Sequence, residues 1–103
     1  MTNKECLEKA RGFIALGWTQ QEFARKANGK PVLALDPKAT CWCIQGALQA
    51  ALNKTGNYSE RFYECSILLA NAADNHALIW WNDAPYRTQA EVLAVFDQAI
   101  ANA

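Results

Sequence analysis

The chain has 103 residues, enough for one domain built on a single core. Ten basic and ten acidic residues cancel, and the pI lies near 6.5, so the broad positive field that suits nucleic acid or an anionic membrane is missing. No apolar run approaches the roughly 20 residues that span a bilayer, and MTNKECLEKA lacks the apolar stretch of a signal peptide. The expectation is one cytoplasmic domain over residues 1–103, with no membrane and no nucleic acid among its partners.

Thr2 followed by Glu5 forms a capping box that opens a first helix, running to about Leu16 with Gly17 as its C′ residue. Cys6, Leu7, Ala10, Phe13 and Ile14 share one face of it. In the following stretch, to Pro37, Asn28-Gly29 suits a type I′ turn between two short strands. The alternation there is imperfect, since Glu22, Arg25 and Lys26 are spaced for a helical turn as well as for a strand.

Asp36 to Asn53 reads as one central helix, with Asp36 as N-cap and Pro37 at the first helical position. At about 100° per residue, Lys38, Trp42, Gln45, Gln49 and Asn53 fall in one narrow strip, and the rest of the circumference is apolar. Ala39, Cys43, Gly46, Ala47 and Ala50 make a stripe of small side chains that admits a neighbouring backbone closely. Gly46 lowers helix propensity by about 1 kcal/mol relative to alanine, which close packing would offset.

After turn chemistry around Gly56, Ser59 caps a third helix and Tyr58 staples against Tyr63. Phe62, Cys65, Leu68, Leu69, Ala72 and Ala73 face inward; Glu60, Glu64, Asn71 and Asp74 face outward, and the helix stops near Asp74-Asn75. A second capping box, Thr88 with Glu91, opens the last helix, which carries Val92, Leu93, Val95, Phe96 and Ile100 on one side. The fold class is therefore mainly α (α+β): about four helices around a central buried helix, with a small two-stranded hairpin.

Cys6, Cys41, Cys43 and Cys65 all fall in segments that read as helical, as small buried hydrophobes with free thiols. Cys-x-Cys within one helix directs its thiols about 200° apart, so no metal site is expected, and the residues suggest no cofactor.

The stretch from His76 to Thr88 concentrates Trp80, Trp81, Asn82, Asp83, Tyr86, Arg87 and the single histidine. Its structural interpretation makes Asn82 and Asp83 an Asx turn before Pro85, pairs Arg87 with Asp83, and uses the tryptophans to close the core. The binding interpretation makes Trp42, Trp80, Trp81, Asn82, Asp83, Tyr86 and Arg87 a patch for a partner protein or a small nucleotide-like ligand. Trp, Tyr and Arg are the types enriched in binding hot spots, and Arg suits phosphate or carboxylate. A third interpretation is a cysteine-nucleophile hydrolase using Cys43, His76 and Asp83. Against it, Cys43 sits about two turns into the expected helix, beyond strong help from the helix dipole. The chain thus reads more as a non-enzymatic module than as an enzyme, either monomeric or as a small homo-oligomer.

Trp18, the Ala-x-x-Trp-Cys-x-x-Gly-Ala-Leu run from Ala39 to Leu48, and Trp81-Asn82-Asp83-Ala84-Pro85-x-Arg87-Thr88 followed by Glu91-Val92-Leu93 together resemble a family of uncharacterised small bacterial and phage domains. The sequence departs at Tyr86, where that pattern has glycine, so the turn after Pro85 is expected to be tighter or differently aimed. The resemblance implies a compact intracellular domain, often carried as an accessory gene, and it implies no activity. A phage-type accessory or inhibitor protein is the corresponding expectation.

Overall fold

The computed structural model describes residues 1–53 and 58–103. Among these the order is α1 (Asn3–Leu16), β1 (Ala24–Lys26), β2 (Pro31–Val32), β3 (Ala39–Trp42), α2 (Ile44–Ala51), α3 (Tyr58–Ala73), α4 (Leu78–Asn82) and α5 (Gln89–Asn102). The fold is mainly helical α+β, with a three-stranded antiparallel sheet in the order β2-β1-β3.

Both capping boxes form as the sequence indicates, at Thr2–Glu5 and Thr88–Glu91. The buried faces also agree: Cys6, Leu7, Ala10 and Ile14 on α1, Cys65 and Leu69 on α3, and Val92, Val95 and Phe96 on α5, where Leu93 and Ile100 are half-buried and Ala99, not expected on that face, is buried too. Gly17 ends α1 in extended backbone at φ −179°, not in the left-handed region. Its lack of a side chain matters for space, since a Cβ there would lie 2.4 Å from the Thr40 carbonyl oxygen. α3 stops at Asp74, which takes φ +53°; the amides of Asp74 and Asn75 reach back to the carbonyls of Asn71 and Ala70 in a Schellman closure.

The central helix is shorter than expected. Residues 36–43 are not helical: Asp36 accepts from the Lys38 amide through its side chain and from the Ala39 amide through its carbonyl, forming a turn that leads into β3. Asp followed by Pro opens a β-turn as readily as a helix, and the choice is made by pairing with β1, where Ala24 faces Trp42 and Arg25 faces Cys41. The N-cap of α2 is Cys43, whose sulfur accepts from the Gly46 amide at 3.3 Å. What remains is central as expected, with Ile44, Gly46, Ala47, Leu48, Ala50 and Ala51 buried between α1, α3 and α4. A Cβ on Gly46 would fall 1.9 Å from the Phe23 carbonyl oxygen, so the small-residue stripe does receive a backbone.

Three smaller expectations change. The β1–β2 turn has Gly29 at φ +86° but Asn28 outside the left-handed region, so it is a three-residue loop and not a type I′ turn. Ser59 is the second residue of α3 and so not its cap, and Tyr58 stacks on Phe62 at 5.7 Å, one helical turn on, in place of Tyr63. The turn expected around Gly56 lies outside the described residues. No helix among the described residues is long and apolar enough to cross a membrane.

Candidate functional site

The interval between α3 and α5 is a short helix followed by a turn. An Asx turn at Asn75, whose side chain accepts from the Ala77 amide, aims the chain into α4. Five residues cannot bury a whole helix, so α4 anchors on Leu78 and Trp81, the latter 9% exposed, and presents Ile79 and Trp80 outward. Trp80 is 82% exposed.

Asn82 ends α4 and is fully buried. Its Oδ1 accepts from the Trp18 indole N–H at 2.8 Å and from the Ile44 amide at 3.0 Å; its Nδ2 donates to the Thr19 carbonyl and to Asp83 Oδ1. All four hydrogen-bonding positions of the amide are filled. Gln20 donates to the carbonyls of Asn82 and Ala84, and the Gln21 amide donates to Asp83 Oδ1 at 2.8 Å. These bonds hold the 18–23 loop between α2 and α4 and keep Gln21 at φ +72°, an uncommon value for a residue with a side chain.

Two adjoining cavities flank this junction. The smaller, of about 110 Å³, is lined by Gln21, Glu22, Phe23, Cys43, Ile79, Asn82 and Asp83. The larger, of about 390 Å³, is lined by Gln21, Ile79, Trp80, Asp83, Ala84 and Pro85. Gln21, Ile79 and Asp83 border both, so the two form one groove along α4.

The sequence-derived site residues divide on this geometry. Trp80, Asn82 and Asp83 border the groove. Trp42 does not, because it belongs to β3: its side chain is buried, packs on Phe13 at 4.9 Å and donates to the Ala34 carbonyl. Trp81 is a core anchor. Arg87 pairs with Glu91 at 3.0 Å and not with Asp83, donates to the Trp81 carbonyl, and lies 4.0 Å over the Trp81 ring and 5.1 Å from the Tyr86 ring. With its side chain 10% exposed, it serves as a clamp on the turn and offers little to a ligand. Tyr86 is exposed but outside the groove lining. Asn82 and Asp83 form no Asx turn, since both side chains are committed to the 18–23 loop.

The hydrolase set is only half assembled. Cys43 stands at a helix start beside Asp83, closer to the N-terminus than its expected place two turns in. His76 is exposed in the α3–α4 connection and does not border either cavity. Burial pushes the Cys43 thiol above its ordinary value and nearby Asp83 adds to this, while the Gly46 and Gln45 amides act in the opposite direction. All four cysteines are free, and the described residues contain no metal-binding cluster of histidine, cysteine or carboxylate side chains. Gln21, Glu22, Phe23, Ile79 and Pro85 were not singled out by the sequence. They meet only because a loop and a short helix, some 60 residues apart in the chain, are tied together by Asn82 and Asp83.

Fold and site together define a small α+β domain with an aromatic-edged groove at the junction of α2, α4 and the 18–23 loop. The chain belongs to a family of unknown function, DUF6197, whose model matches residues 1–102. Searches of curated proteins and of solved structures each found no match.

Proposed function

We propose that this protein is a non-catalytic binding module, acting inside the cell, that captures a segment of a partner protein in the groove along α4. One observation carries the reading: Trp80 is held outward on a helix whose neighbours Leu78 and Trp81 are buried, directly above a groove also edged by Ile79, Phe23 and Pro85. Exposed tryptophan beside a cavity is the usual composition of an interaction hot spot. Four free thiols suit a reducing compartment. An accessory or inhibitory role of phage type fits such a module. A nucleotide-like ligand fits less well, because the guanidinium that would read phosphate is occupied by Glu91 and Trp81. Replacing Trp80 with a photo-crosslinking phenylalanine analogue tests the reading: one discrete protein adduct is expected in cells, and its absence alongside adducts from an analogue at Leu16 would refute it.

A cysteine hydrolase is the second reading, favoured by the position of Cys43 at the start of α2 on the cavity wall. It requires a thiol that reacts fast at neutral pH. Slow iodoacetamide labelling of Cys43 that accelerates only in alkali supports the binding module instead.

A further inference from the structure

The groove has a charge sign. Among the described residues its lining holds two carboxylates, Glu22 and Asp83, and no lysine or arginine. Asp83 Oδ1 is occupied by the Gln21 amide and the Asn82 side chain, which fix the carboxylate in place, while Oδ2 has no hydrogen bond among the described residues. Glu22 is exposed and makes no hydrogen bond or ion pair among the described residues. The nearby cations face elsewhere: Arg25 is spent on Thr19 Oγ1 and on the Gln20 and Gly29 carbonyls, and Arg87 on Glu91 and the Trp81 carbonyl. The smaller cavity has room for several waters' worth of a ligand group, and the exposed Trp80 lines the larger cavity that shares Gln21, Ile79 and Asp83 with it.

Resting on the binding reading above, we infer that the groove's occupant is a partner segment presenting a lysine or arginine next to an apolar side chain. The cation would pass the Trp80 face and meet Asp83 Oδ2 and Glu22, while the apolar neighbour lies on Ile79 and Pro85. An ammonium or guanidinium gains from an aromatic face and from a preoriented carboxylate together, and a partly enclosed site screens both less than open water does. The same arrangement repels acidic segments and phosphates, which sets the sign of the specificity.

The test is selection of random twelve-residue peptides on the intact protein, with Trp80→Ala as counter-selection, followed by affinity measurements on the enriched peptides. Enrichment of Lys or Arg beside an apolar residue is expected, with affinity falling as salt rises. Asp83→Asn keeps an acceptor for Gln21 and should weaken binding about tenfold, the equivalent of one charge-assisted hydrogen bond. Glu22→Gln, which touches no structural bond, should weaken it about threefold and reduce the salt dependence. Peptides that need Trp80 but lack a cation and bind Asp83→Asn equally well would overturn this inference and leave the binding module standing. Enrichment of acidic peptides, or competition by ATP, would also overturn it. Self-association of the wild type that Glu22→Gln disrupts would make a second copy the occupant and do the same. If no selected peptide depends on Trp80, both readings fall.

Discussion

Asn82 is the residue on which the site depends most directly. Its amide joins Trp18, Thr19, Ile44 and Asp83, so removing it leaves a buried main-chain N–H and a partly buried indole N–H without partners. Asn82→Ala should lower unfolding free energy by about 3–5 kcal/mol in urea titration, since each orphaned buried group costs about 1–3 kcal/mol. Gly46 makes an equally specific claim. Alanine normally raises helix stability by about 1 kcal/mol over glycine, yet here its Cβ would run into the Phe23 carbonyl. Gly46→Ala should therefore lower the melting temperature. Arg87 is the third case: Arg87→Ala removes a hydrogen bond to a carbonyl, an ion pair and a ring contact, and should cost about 2 kcal/mol in the same titration. A neutral Arg87→Ala would return this guanidinium to the list of ligand-binding groups.

At the scale of elements, the sequence located what local chemistry determines. Two capping boxes and the inward faces of α1, α3 and α5 were legible, because side chains three and four apart fix them. The start of α2 was not, because Asp36-Pro37 satisfies turn and helix equally, and only pairing with β1 decides. That error displaced Trp42 from core to surface and Cys43 from a cap to a helix interior. Trp80 and Trp81 were picked out, but neighbours on a helix point about 100° apart, and which one faces the core depends on where α4 docks. The α1–α3 contact adds a pH dependence. Cys65 is buried against Asn3, and burial pushes its thiol from 9.0 up to about 11, with Cys6 contributing further. A folded value above the unfolded one gives stability that is complete below pH 9 and lost as pH rises toward 11. Cys65→Ser removes this titration, so urea stability of the variant should fall less than that of the parent between pH 9 and 11.

For the whole molecule, the structure separates support from display. The core of α1, α2, α3 and α5 holds the 18–23 loop and α4 against each other, and the groove exists only where those two segments meet. On the proposed reading, the stability of the fold rests on Asn82, Trp81 and Arg87 and the capacity to bind on Trp80 and Ile79, with Asp83 serving both. The most direct measurement is made on Trp80→Ala, comparing its urea unfolding with its retention of the partner crosslinked at that position. An unfolding free energy within about 0.5 kcal/mol of the parent, together with loss of the partner, is the expected result. Retention of the partner by a normally folded Trp80→Ala protein would contradict a binding groove along α4.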